Sequence, residues 1–260
     1  MINRRVIRYM AQSSIAIIAG CLSSVATIIT IYIFILILQK YFARKEKNTL
    51  FLAFSVLCWD LAFIAATLIY FFSEINLEMV IWCQKIVYCG VFLGIMFSFQ
   101  FSHEIFFTLK KNVIYIYWII GIIIILLTLV LNSVNVAVFM DGSGYPLLTI
   151  SLAFSILVVI FILPTILGII ISSLKLASRT EVGEYSIGFR IIALGQFMIL
   201  ATFVADTLAS IFISQITVYA LLLYLTWIFP MIAIVCYYLG WIMPTWFKKW
   251  LNVQEDENKN

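Results

Sequence analysis

Three ionisable residues stand inside long apolar runs: Asp60, Lys85 and Asp206. A charge at the centre of a membrane-spanning helix costs about 2.5–3.5 kcal/mol on the insertion scale, so chains keep one for a partner or a role. Asp60 lies near the middle of its run. Lys85 lies near the start of the next run, and Asp206 near the end of a later one. At 1.5 Å per residue, Lys85 and Asp206 share a depth of roughly 10 Å below one membrane face, and Asp60 lies roughly 7 Å deeper. Two readings are open. In one, Lys85 sits between two carboxylates in a polar pocket that binds a small ligand or an ion, or titrates as a switch. Gln84 and Tyr88 lie on or near the same helical face, and Thr202 and Ser210 flank Asp206 at i±4 spacing. In the other, a single Lys–Asp pair fixes helix packing, and the second aspartate is in excess.

His103, the one histidine of the chain, precedes Glu104 at the end of the third run. The pair reads as an interfacial polar step, or as a pH-sensitive latch, since histidine titrates near neutrality. A lone histidine builds no metal site and no Cys–His or Ser–His–Asp assembly. Asp206 sits in "FVAD", without the Gly-x-Gly-Asp pattern of intramembrane aspartyl proteases. No H-E-x-x-H, P-loop or nucleotide-binding glycine pattern occurs. The expectation is a protein without enzymatic activity, cofactor or metal. Pro164 and Pro230 fall near the middle of their runs and are hinge candidates, because each removes a backbone donor.

The elements that position these residues are set by composition. The 260 residues are 65% hydrophobic and 11% charged, with mean hydropathy +1.14. Soluble domains have about 45–50% apolar and about 25% charged residues. A soluble globular domain, a disordered chain and a nucleic-acid-binding module are therefore excluded. A span needs about 20 apolar residues, and seven runs qualify: Ser13–Gln39, Thr49–Ser73, Met79–Phe107, Val113–Asn132, Thr149–Leu176, Phe189–Ile213 and Thr217–Met243. Unbroken stretches such as "IIGIIIILLTLVL" do not alternate, which argues against a β-barrel. The predicted fold is all-α, a seven-transmembrane helix bundle over 13–243. Residues 1–12 form a short outer segment, and 244–260 an amphipathic anchor ("PTWFKKWL") with a polar tail.

Basic residues set the orientation. Lys40, Arg44, Lys45, Lys47, Lys110, Lys111, Lys175, Arg179, Arg190, Lys248, Lys249 and Lys259 flank one side, against Arg4, Arg5 and Arg8 on the other. The positive-inside rule then places the N-terminus outside and the C-terminus inside, in the cell membrane. Tyr70, Phe71, Phe72 and Trp82 mark the outer interface. Tyr115, Tyr117, Trp118, Trp241, Trp246 and Trp250 mark the inner one. The stripes Gly90–Gly94–Ser98–Ser102 and Ala16–Gly20–Ser24 let helices approach closely, and read as packing inside the bundle rather than as a dimer face. "IAGC" at 18–21 has the look of a lipoprotein cleavage site, but the apolar run continues to Leu38. All five cysteines lie in apolar runs, as packing residues do.

Helix 7 has no lysine for retinal, and the outer loop "NVAVFMDGSGYPLL" has no cysteine to bridge to helix 3. The patterns of microbial rhodopsins and of rhodopsin-like receptors are therefore missing. Residues 48–106 instead resemble the N-terminal seven-helix sensor region of certain bacterial and archaeal histidine kinases. The matching features are Trp59 in helix 2, then Trp82, Lys85, Tyr88 and Gly90 opening helix 3, and a Phe-rich close at Phe97, Phe99 and Phe101. The closing stretch "YYLGWIMPTWFKKW" is similar as well. The resemblance implies a receptor bundle whose seventh helix drives a cytoplasmic kinase. Ten residues follow Trp250, without a phosphoacceptor helix or ATP site. The expectation is a stand-alone sensor acting through a separate partner.

Three functions remain open. The first is a sensor that detects a small ligand or proton in the outer-half pocket and signals to a cytoplasmic kinase or response regulator in trans. The second is a small ion-coupled transporter, for which midplane Asp60 and a proline-interrupted helix speak. The third is a structural membrane subunit whose charges only pair helices. The bilayer is a partner in all three, and nucleic acid in none.

Overall fold

The computed structural model describes residues 4–72, 77–106, 110–130, 134–138, 146–150, 152–180, 183–212 and 215–251. Among them are seven helices long and apolar enough to cross a membrane. These are α1 (Arg4–Arg44), α2 (Lys47–Phe72), α3 (Leu77–Phe106), α4 (Lys111–Val130), α5 (Leu152–Arg179), α6 (Gly183–Ile211) and α7 (Ile216–Tyr237). A helix satisfies its own backbone donors and acceptors, which apolar surroundings demand.

The ends have local causes. α1 starts at Arg4, so residues 4–12 continue the helix rather than stand apart from it. It stops at Lys45, whose φ of 55° places it in the left-handed region and whose N–H returns to the Tyr41 carbonyl at 2.6 Å. α6 starts at Gly183, well before the expected Phe189. Glu184 in its first turn complements the positive helix end. Ser186 Oγ also donates to the Ala177 carbonyl at 2.8 Å, tying α6 back to α5. Pro164 and Pro230 both lie inside continuous helices. α7 runs into a π-helical turn (Tyr238–Ile242), Met243 takes φ 44°, and the short α8 (Thr245–Trp250) follows. Residues 252–260, expected as a polar tail, lie outside the described residues.

Between α4 and α5 the helical architecture carries one small addition. There β1 (Val134–Val138) pairs antiparallel with β2 (Pro146–Ile150), Val134 opposite Ile150. The sequence "VNVAV" alternates β-branched residues, and Gly142 and Gly144 stand between the two runs, which is a hairpin pattern.

α2 and α3 form the centre. α1 packs on α2 and α7, α6 on α5 and α7, and α4 chiefly on α3. Phe63, Phe92, Met96, Ile166, Ile199 and Ile234 are fully buried between them. The α2–α3 contact depends on the small-residue stripe of α3. A Cβ on Gly90 would lie 2.7 Å from the Cys58 carbonyl oxygen, and one on Gly94 would lie 2.9 Å from the Trp59 ring. One turn on, Ser98 Oγ meets Ser55 Oγ at 2.7 Å. α6 closes in the same way on α7 and on the π turn that follows it, with Gly195 against Cys236 and Gly188 against Gly240. The connection 45–46, the end of α5, the start of α6, the start of α4 and the end of α7 share one end of the bundle. Lysine and arginine crowd this end, which is therefore its basic end.

Candidate functional site

Four helices converge on Asp206 toward the end of the bundle opposite the basic one. Asp206 is half-buried as a residue, and its carboxyl lies within electrostatic range of the phenols of Tyr70 on α2, Tyr88 on α3 and Tyr219 on α7. Tyr88 is buried and hydrogen-bonded to Gln84, one turn earlier on α3. The indole Nε1 of Trp227 donates to Tyr70 Oη at 3.2 Å, and the two rings meet edge to face at 6.0 Å. Phe63 packs on Trp227 at 6.1 Å and Trp59 on Phe63 at 6.3 Å, so an aromatic ladder runs from the cluster toward the bundle centre. Phenols both donate and accept. The cluster therefore offers a carboxylate and hydroxyl oxygens to a cation, a proton or a hydrogen-bonding ligand. Gln84, Tyr88 and Asp206 are brought together. Tyr70, Tyr219 and Trp227 are additions that the sequence did not single out. Tyr70 read there as an interfacial aromatic, and nothing in α7 marked which face its rings present.

Lys85 is directed elsewhere. It is 7% exposed, and its Nζ donates to the Leu129 carbonyl of α4 at 2.8 Å and stands 5.0 Å from the Trp82 ring centroid. Among the described residues no ion pair joins it to Asp60 or Asp206. The three charges are thus not one triad. Lys85 lies about 100° around α3 from Gln84, and so it faces α4 while Gln84 and Tyr88 face the Asp206 cluster.

Asp60 is 5% exposed, and its Oδ1 meets no hydrogen-bond partner among the described residues. The register of α1 against α2 gives its surroundings. Gly20 abuts Tyr70, and Thr67 Oγ1 donates to Ser23 Oγ at 3.0 Å. Two turns further along this antiparallel pair, buried Thr30 is level with Asp60. The Thr30 hydroxyl donates to the Ala26 carbonyl at 2.7 Å, so its proton is already engaged.

His103 and Glu104 do not pair. Glu104 is exposed, whereas both ring nitrogens of His103 are buried without a partner among the described residues. Beside them, Phe101 and Phe106 pack on Trp241 of the π turn, at 4.3 and 5.4 Å. At the same end Lys248 of α8 is ion-paired with Glu184 of α6, and Phe247 is buried. Pro230 is buried in α7, whereas Pro164 is exposed on α5. Among the described residues no cluster of three His, Cys, Asp or Glu side chains forms a metal site, and the five cysteines are free thiols.

No family model, no curated protein and no solved structure matches this chain.

Proposed function

We propose that the chain is a multi-pass sensor of the cell membrane, N-terminus outside and C-terminus inside, that detects a small ligand or a proton at the Asp206 cluster. The single observation carrying this reading is the meeting of α2, α3, α6 and α7 around one carboxyl and three phenols. A change of charge or occupancy there acts on four helices at once. All four reach the basic end, and there α6 and α7 together hold α8. A separate cytoplasmic kinase or response regulator would read that end, in keeping with the resemblance to histidine-kinase sensor regions.

The test uses the full chain in lipid nanodiscs, with the proton as the first probe. Trp227 lies beside Tyr70, so the emission of the wild type should change across a pH series, and Asp206→Asn should flatten the change. The chain isolated from native membranes should also carry a cytoplasmic signalling protein, identified by mass spectrometry. A pH response that persists in Asp206→Asn removes the site.

One observation favours a second reading. The unpartnered, buried Oδ1 of Asp60 near the middle of α2 suits an ion-coupled carrier. Proteoliposome flux that Asp60→Asn abolishes and Asp206→Asn spares would establish it over the sensor. For Lys85 the geometry supports the structural reading alone.

A further inference from the structure

Between α4 and α5 opens an apolar groove of 660 Å³, within the size range of small-molecule sites. One wall is the stripe Val113, Tyr117, Ile120 and Leu127 of α4, and the other includes Pro164 and Gly168 of α5. The groove exists because α4 has fully buried residues only in its second half, while its first half touches α3 through Tyr117 and Trp118. Gly121, Ile124 and Thr128 are buried, and no residue from Lys111 to Ile120 is. Tyr117 crosses the floor to stack on Phe161 at 4.7 Å, and its hydroxyl accepts from Thr165 Oγ1 at 2.9 Å. The two hydroxyls of the floor thus answer each other, and what remains to line the groove is hydrocarbon.

Both walls end in a lysine at the basic end. Lys110 precedes Val113 by three residues, and the Val113 N–H fixes that turn on the Lys110 carbonyl at 2.9 Å. Lys175 follows Gly168 by seven residues, two helical turns on the same face. Both side chains are exposed, and neither has an ion-pair partner among the described residues. From Val113 to Leu127 the wall is roughly 21 Å long, more than the ~15 Å of one leaflet's hydrocarbon.

We propose that this groove holds an acyl chain of an anionic phospholipid from the leaflet at the basic end, with the lipid phosphate between Lys110 and Lys175. Basic pockets between spanning helices on the positive side of a membrane protein suit such headgroups. A second protein helix suits the groove less well. Close helix approach needs small residues, and apart from Gly168 the walls are bulky. The inference rests on the membrane-spanning reading of the helices and is independent of the Asp206 site.

The experiment is native mass spectrometry of the delipidated full chain in mild detergent, titrated with dioleoylphosphatidylglycerol or dioleoylphosphatidylcholine. The anionic lipid should be retained at about tenfold lower concentration. Lys110→Gln with Lys175→Gln should shrink that preference to about twofold or less, leaving phosphatidylcholine unchanged. Gly168→Leu, which fills the groove, should weaken both lipids. Circular dichroism and monodisperse elution verify the fold, and Ile120→Trp replaces Gly168→Leu if that variant fails to fold. Equal retention of the two lipids, or a preference that survives the double lysine substitution, overturns the headgroup site. Undiminished lipid binding in the filled groove, or a dimer that excludes lipid, overturns the groove as its seat.

Discussion

The ammonium of Lys85 on α3 caps α4 by donating to the Leu129 carbonyl at 2.8 Å. Leu129 lies in the last turn of α4, where carbonyls lack an intrahelical partner and the helix dipole presents its negative pole. A buried lysine is thus matched without an acid, and a loosely docked helix gains a fastening to the centre of the bundle.

Removing that fastening should loosen α4. Lys85→Met keeps the length of the side chain but strands the carbonyl, at a cost of about 1–3 kcal/mol. Thermal unfolding in detergent, followed by circular dichroism, should show a lower apparent Tm for Lys85→Met and a smaller drop for Lys85→Arg. The pH response at the Asp206 cluster should survive both. Equal Tm values for wild type and Lys85→Met would show that the bond contributes nothing.

Tyr70 joins the cluster to the aromatic ladder through the Trp227 indole. Tyr70→Phe deletes the acceptor and leaves a half-buried N–H unanswered, a loss of about 1 kcal/mol. The difference emission spectrum against wild type should show an indole in a less polar setting. A superimposable spectrum in unchanged lipid would remove the hydrogen bond from the account.

Two glycines make opposite predictions. Gly90→Ala puts a methyl 2.7 Å from the Cys58 carbonyl oxygen and 3.1 Å from the Ala62 Cβ, so α2 and α3 must separate. The expected cost is about 1–3 kcal/mol. At Gly183 nothing lies within 4 Å, and Gly183→Ala should stay within about 0.5 kcal/mol of wild type. Parallel melts of the two variants check the α2–α3 contact, and an unaltered Gly90→Ala melt would refute it.

The pair Lys248–Glu184 is partly exposed, with side chains 28% and 15% accessible. A double-mutant cycle on Lys248→Gln and Glu184→Gln should return a coupling of about 1 kcal/mol or less, shrinking with added salt. The sharper readout is proteolysis: either single variant should expose the peptide bond after Lys249 to trypsin faster than wild type. Identical cleavage rates would mean that α8 is held by its buried Phe247 alone.

The sequence makes the seven helices legible because unbroken apolar runs have one stable form in hydrocarbon. It also places Gln84 and Tyr88 together, since they are one turn apart on a single helix. The partner of Lys85 escaped because its acceptor is a backbone carbonyl, which leaves no mark in side-chain composition. Tyr70, Tyr219 and Trp227 escaped for another reason. They join the site through the rotation of α2 and α7 about their axes, and apolar residues surround those helices on every side. The paired strands 134–138 and 146–150 were readable from their alternation, but a connection between two long apolar helices does not invite a search for strands.

The attachment of α8 has a mechanical consequence. By covalent connection it hangs from α7 through Met243 and Pro244, and by ion pair it is moored to α6. If α6 and α7 travel together, α8 rides along without tilting. If one slides against the other, the two moorings separate, and α8 must swivel or give up the ion pair. The short terminal helix is thus built as a differential gauge, insensitive to where the pair stands and responsive to the offset between its members.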